Sequence, residues 1–269
     1  MSNINIGKGL KTLTRAYDVT QDYFLADSGK QIDVTRLLSI ALETAGDHDR
    51  LINSVLDEPL LKSVESWVIT QSSIAINRWP RLTEELNVIT RVIEVNRFFV
   101  KRFFEMKVAD ELLLTVVSQF AIINLESRKM ARVPVKILEN LELIDDQVTY
   151  DFEKLRVPEG YTSVSQQDRE IVASDIDYNQ HVNNEVYIRW AYEMLPARYL
   201  AQFNVIKIEV KYGSELRFDE AAEVVAYLPD ASIMNDGTVG KSDFQTYQTI
   251  RNKTKLKDAC YIRITWQKP

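Results

Sequence analysis

The sequence predicts an α+β protein built from two tandem units, each a long helix packed on an antiparallel sheet. A helix-like segment is followed by four strand-like segments, and this order occurs twice along the 269 residues. A helix that precedes a run of short strands buries its apolar stripe by lying across the sheet they form. Eight glycines and seven prolines are few for this length and argue against long flexible linkers.

The first unit begins with an extended segment at 14–25, followed by a helix. The helix is predicted from apolar residues at the i, i+3, i+4, i+7 spacing of one helical face: Leu38, Ala41, Leu42 and Ala45. Asp33 is placed to cap this helix and Gly46 to end it. Segments rich in β-branched and aromatic residues then predict four strands, at 67–79, 85–95, 97–108 and 112–125.

The second unit repeats this order. An extended segment at 161–173 precedes a helix that runs from about Asn184 and stops before Pro196; Asn183 and Asn184 are both suited to cap its start. Four strands are predicted after it, at 203–213, 221–230, 243–252 and 258–267. One helix on such a sheet is a hotdog unit, so the chain is predicted to be a double hotdog; the alternative is two unrelated α+β domains. The predicted boundaries are 1–134 for the first hotdog, 135–160 for a connector and 161–269 for the second hotdog.

Composition excludes several classes of function. The net charge of −6 and the pI of about 5.2 disfavour a nucleic-acid partner, which needs a basic surface. One cysteine, Cys260, forms no internal disulfide, and with only two histidines a zinc site is not expected. We expect no metal and no cofactor. Since neither a signal peptide nor an apolar run of about 20 residues is visible, we expect a cytoplasmic protein without a membrane span.

The stretch SDIDYNQHVNNEVYIRWAYE at 174–193 is the densest polar segment and contains one of the two histidines. In an extended backbone, Asp177, Asn179 and His181 share one face, which presents an imidazole at the start of a helix. Free N–H groups there can hold the negative charge of a carbonyl under attack. The alternative is a polar turn in which His181 only caps the helix. The matching stretch of the first unit, at 25–35, has no histidine.

Residues 175–190, D-I-D-Y-N-Q-H-V-N-N-x-x-Y-I-x-W, resemble the signature of the acyl–acyl carrier protein (acyl-ACP) thioesterases, the bacterial relatives of the plant fatty acyl thioesterases. The segments 67–90 and 118–134 are similar to other parts of that family. The resemblance covers residues 14–269. It implies a hydrolase that releases a fatty acid from acyl-ACP.

The resemblance also assigns the family's catalytic residues, to Asp177, Asn179, His181 and Glu215. It implies that Glu215, with His181, activates a water, that Asn179 binds the oxyanion and that Asp177 orients His181 and fixes its tautomer. For Glu215 the alternative is one more surface glutamate, since three others lie near it in the sequence: Glu209, Glu220 and Glu223.

The two remaining titratable groups of interest are predicted to be inert. Cys260 lies in an apolar strand, where a buried, unreactive thiol is expected. Some plant members of the family carry a cysteine beside the glutamate, whereas here Ser214 and Leu216 flank Glu215. His48 is predicted to be a surface or capping histidine just beyond the first helix.

The resemblance further implies an acyl-tail pocket in the first unit. Its aromatic side chains, including Trp67, Trp79, Phe98 and Phe99, are candidates to line it, although packing in the sheet core explains them equally well. The partner implied is an acidic acyl carrier protein with acyl-phosphopantetheine. It would dock on a local basic run, for which the best candidate contains Arg128, Lys129 and Arg132. A homodimer stays open.

Three other functions remain open from the sequence alone. An acyl-CoA thioesterase and a hydratase are both compatible with this fold, as is a non-catalytic module that binds acyl thioesters. Neither a DNA-binding helix pair nor a basic arm is visible, which disfavours a regulator of transcription. Acyl chain length, branching and saturation are not specified by the sequence.

Overall fold

The chain forms two compact units, Met1–Asp151 and Phe152–Pro269, whose boundary falls inside the predicted connector. The computed structural model describes residues 4–5, 10–24, 32–145, 147–177, 179–195, 202–229 and 243–268. We refer to the two parts as the N-terminal and the C-terminal unit. Among the described residues, no helix is both long and apolar enough to cross a membrane.

The N-terminal unit is a helix packed on an antiparallel sheet. Its helices are α1 (Val34–Asn53) and α2 (Val135–Asn140). Its strands are β1 (Ile4–Asn5), β2 (Thr12–Asp18), β3 (Glu65–Ile76), β4 (Glu85–Val95), β5 (Phe99–Val108), β6 (Glu111–Asn124) and β7 (Met130–Ala131). The strand order is β1-β2-β4-β5-β6-β3, with β7 paired to β6. Helix α1 packs against β2 and β4.

The C-terminal unit repeats this arrangement. Its helix is α3 (Asn184–Glu193), and its strands are β8 (Tyr161–Glu170), β9 (Asn204–Tyr212), β10 (Ala221–Pro229), β11 (Phe244–Asn252) and β12 (Lys257–Gln267). The strand order within this unit is β9-β12-β11-β10-β8, and α3 packs against β10, β11 and β12. The predicted helix and four following strands are therefore confirmed in both units.

Both predicted helix starts are confirmed, but the predicted end of α1 is wrong. The side chain of Asp33 accepts a hydrogen bond from the Thr35 N–H at 2.9 Å, as an N-cap does. Gly46 lies inside α1, which continues to Asn53. The helix continues because the buried face that includes Ala45 recurs at helical spacing beyond Gly46, at His48 and Ile52, and stays against the sheet.

His48 is buried in the core of the N-terminal unit, so the prediction of a surface or capping histidine is wrong. It lies within α1 and has 0% of its surface exposed. Its Nε2 hydrogen-bonds the Leu10 carbonyl at 2.7 Å, and its Nδ1 lies 3.0 Å from an Arg102 Nη1. Since Arg102 can only donate, Nδ1 accepts, and the ring is neutral with its proton on Nε2. Burial, reinforced by the Arg102 guanidinium, lowers the pKa of His48 to about 4.

The four aromatic candidates for the acyl-tail pocket are all half-buried in the N-terminal unit. Trp67 packs against the apolar cluster that contains Ile52, Val92 and Ile122, and its ring meets that of Phe120 edge-on at 6.5 Å. Packing of this kind accounts for Trp67 without a ligand. The acyl-tail pocket in this unit stays a prediction.

Replacing His48 by Gln should flatten the pH dependence of stability in the N-terminal unit. The unfolded chain binds a proton to His48 below about pH 6.5, whereas the folded chain binds it only near pH 4, so acid favours unfolding in this window. Between pH 7 and pH 5 the wild type should lose about 2 kcal/mol through this residue. Hydrogen exchange of the α1 amides measures this loss in both proteins. The carboxylates contribute equally to the pH dependence of both proteins. Parallel profiles of unfolding free energy against pH would therefore contradict a buried, neutral His48.

Candidate active site

The segment that carries His181 is a tight turn, so the predicted extended ladder is wrong. Ile176 and Val182 form a β-bridge, and the Asp177 N–H donates to the His181 carbonyl at 2.8 Å. The Gln180 N–H donates to the Asp177 carbonyl at 3.1 Å, and Gln180 has a left-handed backbone with φ 65°. The backbone here is not extended, so strand geometry does not place the side chains of Asp177, Asn179 and His181 on one face.

Asp177 builds this turn. Its Oδ1 accepts hydrogen bonds from the N–H groups of Asn179, at 2.8 Å, and of His181, at 3.3 Å. An aspartate that binds the backbone two and more residues ahead stabilises a turn in competition with extended structure, which explains why the ladder folds back. Asn179 is half-buried in the same turn.

The start of α3 is fixed by the residues on either side of this turn. The Asn183 side chain caps the helix by accepting from the Glu185 N–H at 3.2 Å, as predicted. Asp175, 2% exposed, accepts from the Val172 N–H at 3.1 Å and forms an ion pair with Arg189 of α3. Its carbonyl accepts from the Asn183 N–H at 2.8 Å. The loop before α3 is thus held to the helix from both ends.

The N–H groups around the helix start are more occupied than the sequence suggested. Hydrogen bonds within the protein engage those of six residues: Asn179, Gln180, His181, Val182, Asn183 and Glu185. The Val186 N–H donates to the Asn183 carbonyl at 2.9 Å. Among the described residues of this stretch, the Asn184 N–H has no acceptor. Any oxyanion held by the backbone here would use that group.

His181 and Glu215 are in direct contact. The imidazole Nε2 lies 3.1 Å from Glu215 Oε2, and the two side chains are 11% and 35% exposed, respectively. The contact is set by the backbone, because the Val182 N–H donates to the Leu216 carbonyl at 2.8 Å. Since the carboxylate is the better exposed of the two, a water reaches it more easily than it reaches the ring.

A buried polar cluster holds the Glu215 segment in place from behind. The Asn252 side chain, 0% exposed, donates to the Glu215 carbonyl at 3.3 Å and to Glu220 Oε2 at 2.7 Å. Lys255 Nζ lies 3.4 Å from the same carbonyl and 2.5 Å from Glu220 Oε1. Burial raises the pKa of Glu220, but the hydrogen bonds from Lys255 and Asn252 outweigh it and leave this pKa below its ordinary value.

Two of the three glutamates named as surface alternatives to Glu215 are not on the surface. The Glu220 side chain is 7% exposed and belongs to the cluster behind Glu215. Glu209 is 4% exposed and pairs with Arg263 at 2.6 Å. Glu223 is half-buried on β10 and accepts from the Gln166 side chain at 2.9 Å. Of the four, Glu215 is the one in contact with His181.

The core beneath the site contains buried phenols and the single thiol. Tyr187 of α3 is 3% exposed and hydrogen-bonds the Leu216 backbone, and burial raises its pKa. Cys260 is 0% exposed, as predicted, and burial raises the pKa of its thiol well above the ordinary value. A thiol that stays protonated is a poor nucleophile. Within the described residues, no group of three or more His, Cys, Asp or Glu side chains is arranged to hold a metal ion.

The sequence reasoning missed the residues that support the site: Asp175, Arg189, Asn252, Lys255 and Glu220. Asp175 and Arg189 lie inside the 174–193 stretch, and Glu220 follows Glu215 by five residues, so these three were within reach of local reasoning. Asn252 and Lys255 come from the turn between β11 and β12 and reach the site only through the sheet, for which the linear pattern gives no signal.

Sequence profiles of one family match both units. The profile of the acyl-ACP thioesterase N-terminal domain matches residues 11–141, and that of the C-terminal domain matches residues 161–268. An acyl-[acyl-carrier-protein] hydrolase of Cuphea viscosissima is 25% identical over 94% of this chain and 60% of its own length. The oleoyl-acyl carrier protein thioesterase of Coriandrum sativum is 22% identical over 96% of this chain and 72% of its own length. The chain thus spans 60% of the first of these plant relatives.

Solved structures confirm the predicted fold. A putative oleoyl thioesterase from Lactobacillus plantarum has a TM-score of 0.77 at 21% identity, covering 98% of this chain and 99% of that one. An acyl-ACP thioesterase from Bacteroides thetaiotaomicron has a TM-score of 0.75 at 20% identity, covering 96% and 98%. A hot dog fold protein of unknown function from Alicyclobacillus acidocaldarius has a TM-score of 0.52 at 9% identity, covering 99% and 96%. At these identities the likeness establishes the double hotdog fold.

Replacing Gly213 by Ala should destabilise the C-terminal unit by about 1–3 kcal/mol, because the new Cβ would lie 2.6 Å from the Asp258 carbonyl oxygen. Gly213 joins β9 to the Glu215 segment and donates to the Ala259 carbonyl at 2.8 Å, so the strand has to separate locally from β12. Thermal unfolding and hydrogen exchange of β12 measure the effect.

The matched control is Gly46→Ala in α1, where the nearest atom to the new Cβ, Arg50 Nη1, is 3.7 Å away. There the substitution should stabilise by about 0.5–1 kcal/mol, since alanine is the better helix former. Changes of the same sign at the two glycines would refute the close approach at Gly213.

Proposed function

Because the chain belongs to the acyl-ACP thioesterase family, we propose that it hydrolyses the thioester of fatty acyl-ACP and releases the free fatty acid. The observation that carries this proposal is the 3.1 Å contact between His181 Nε2 and Glu215 Oε2. It combines a carboxylate that water can reach with a largely buried imidazole that fixes its orientation. No cofactor enters this chemistry.

The reaction begins with a water held on Glu215. As the water oxygen attacks the thioester carbonyl carbon, the carboxylate accepts its proton. The tetrahedral intermediate then collapses and expels the phosphopantetheine sulfur, which receives that proton from Glu215. The products are a carboxylic acid and a free thiol, and the carboxylate is restored.

His181 fixes the carboxylate for this task. Its Nε2–H donates to Glu215 Oε2, which fixes the orientation of the carboxylate and sets the tautomer of the ring. Asp177 orients His181 indirectly, by holding the turn through its N–H group at 3.3 Å. This differs from a direct hydrogen bond to the ring, through which such an aspartate would itself set the tautomer.

The oxyanion is assigned to two donors at the start of α3, the side-chain amide of Asn179 and the Asn184 N–H. The positive end of the helix dipole adds to both. A single donor of this kind contributes about 10²–10³-fold to turnover. These two donors are fewer than the free N–H groups of an ordinary helix start, because the neighbouring N–H groups already form hydrogen bonds within the protein.

Replacing His181 by Ala, or Glu215 by Gln, should lower kcat on acyl-ACP by at least about 10²-fold, since the first removes the group that orients the carboxylate and the second removes the base itself. Circular dichroism and thermal unfolding establish that the variants stay folded. The matched control is Cys260→Ala, which removes the buried thiol and should keep kcat within about threefold because no thiol–acyl intermediate forms.

Near-wild-type turnover in His181→Ala would remove His181 from the mechanism. Assays of acyl-ACP, acyl-CoA and enoyl thioesters of one chain length then separate the alternatives. Mass spectrometry of the wild-type mixture detects either released acid, as proposed, or intact ligand, which would indicate a binding module without catalysis.

The basic run that contains Arg128, Lys129 and Arg132 is proposed to steer the acidic carrier toward the enzyme. Lys129 and Arg132 are exposed, while Arg128 is half-buried with a left-handed backbone of φ 57°. On a chain with a net charge of −6, a local positive field of this kind accelerates encounter rather than tightening contact.

Reversing both exposed charges, Lys129→Glu with Arg132→Glu, should lower kcat/KM on acyl-ACP about tenfold at low salt and leave kcat unchanged. The difference should vanish near ~0.5 M salt, where fields are screened over a few ångströms. Lys62→Glu with Arg81→Glu changes the net charge equally at two other exposed positions of the same unit and serves as control. An equal loss in the control would assign the effect to net charge rather than to the run.

A further inference from the structure

Three turns meet at the end of the C-terminal sheet that carries Glu215. Glu170 at the end of β8 pairs with Ala221 at the start of β10. The Ala221 N–H donates to Thr254 Oγ1 at 3.1 Å, and its carbonyl accepts from the Lys253 N–H at 2.8 Å. The turn after β8, the turn before β10 and the turn between β11 and β12 therefore lie side by side. We call their outward side chains the rim: Val172, Arg217, Phe218, Lys255, Leu256 and Lys257.

The rim carries exposed apolar side chains of unusual size for a surface turn. Leu256 is 70% exposed and Phe218 is 61% exposed, the two highest values among the large hydrophobic residues that the structure describes. Val172, 49% exposed, precedes the loop that Asp175 holds to α3. Apolar side chains clustered around a functional site indicate a surface that another molecule covers.

Leu256 gives an independent indication of a partner, because its backbone conformation is unfavourable for a residue with a leucine side chain. It is left-handed, with φ 54°, a conformation that favours glycine or asparagine and costs other residues about 1–2 kcal/mol. A leucine at this position destabilises the fold through its backbone conformation, and its exposed side chain gains no compensating burial within the unit. The cost is understandable if the side chain is buried against a partner.

The charges on the rim are mixed in sign but not evenly compensated. Lys255 pairs with Glu220, whereas Arg217 and Lys257 make no ion pair with any described residue. Four acids belong to the turn before β10 and the start of β12: Glu215, Asp219, Glu220 and Asp258. The Asp258 Oδ2 accepts from the Tyr261 hydroxyl at 2.6 Å. Two cations of the rim, Arg217 and Lys257, thus lie outside any ion pair among the described residues, and each is adjacent in sequence to an exposed apolar side chain.

We propose that the rim is the contact surface for the acidic acyl carrier protein, whose thioester arm reaches His181 and Glu215 from it. This rests on the proposed function and adds where the carrier is held. The rim borders the site directly, since Lys255 Nζ lies 3.4 Å from the Glu215 carbonyl. A carrier surface that presents carboxylates beside apolar residues would complement Phe218 next to Arg217 and Leu256 next to Lys257. The surface acts by short-range contact, in contrast to the long-range field of the basic run.

The test compares two substrates with one acyl chain, acyl-ACP and the acyl thioester of N-acetylcysteamine, which has no carrier. The first variant is Phe218→Ser with Leu256→Asn, where asparagine tolerates the left-handed backbone. The second is Arg217→Glu with Lys257→Glu. For acyl-ACP, KM should rise about tenfold in each variant while kcat stays within about twofold. For the carrier-free thioester, kcat/KM should stay within about twofold.

The salt dependence of the two variants should differ. The apolar variant should keep its raised KM near ~0.5 M salt, because burial of apolar surface is not screened, whereas the effect of the charge variant should shrink. Val55→Ser with Leu82→Ser removes two other exposed apolar side chains, 53% and 48% exposed, and should leave KM unchanged on both substrates.

Each other outcome overturns the proposal. An equal loss on both substrates would mean that the rim shapes the catalytic pair rather than binding the carrier. An unchanged KM for acyl-ACP, with a shift from dimer to monomer in size-exclusion chromatography, would assign the apolar surface to a second copy of the chain. An unchanged KM without such a shift would leave the rim without a partner. Failure of the proposed function looks different, since the wild type would then release no fatty acid from either substrate.

Discussion

One backbone hydrogen bond, from the Val182 N–H to the Leu216 carbonyl, is the constraint on which the candidate site depends. At 2.8 Å it joins two segments that lie far apart in the sequence. The residue preceding each bonded group supplies a side chain, so His181 and Glu215 meet as a consequence of backbone pairing. Holding two flexible side chains together by their own contact would cost conformational entropy. Backbone pairing reduces this cost, because it already places the two residues side by side in the folded state.

The cluster behind Glu215 shows how the fold stabilises a segment that has no strand partner of its own. Asn252 and Lys255 come from the turn between β11 and β12 and bind both the Glu215 carbonyl and the Glu220 carboxylate. A buried carboxylate is stabilising only when its oxygens are satisfied, and both oxygens of Glu220 have partners, Oε1 in Lys255 and Oε2 in Asn252. The Glu215 carboxylate can then face outward toward His181, because the polar requirements of its backbone are met by Asn252 and Lys255.

The sequence predicted the elements well and the local geometry of the site poorly. Strands and helix starts were found because the period of apolar residues and the capping side chains of Asp33 and Asn183 are local signals. The end of α1 was misplaced because Gly46 signals a stop only where packing does not continue beyond it. A turn at Asp177 was only the alternative to an extended ladder, because an alternating polar pattern fits a strand and an aspartate-stabilised turn equally well. The support from Asn252 and Lys255 depends on sheet pairing, which no local pattern encodes.

The two histidines show why an identical side chain is structural in one unit and a candidate for chemistry in the other. Both ring nitrogens of His48 are hydrogen-bonded, Nε2 to the Leu10 carbonyl and Nδ1 to Arg102. His48 has no exposed surface, and the positive charge of Arg102 beside it opposes an added proton. His181 instead lies 3.1 Å from the carboxylate of Glu215, and 11% of its side chain is open to solvent. Since the units share one architecture, neither the helix nor the sheet makes a histidine reactive. The charge of the neighbouring side chain and the access of water determine whether a histidine can take part in chemistry, and both favour the histidine of the C-terminal unit.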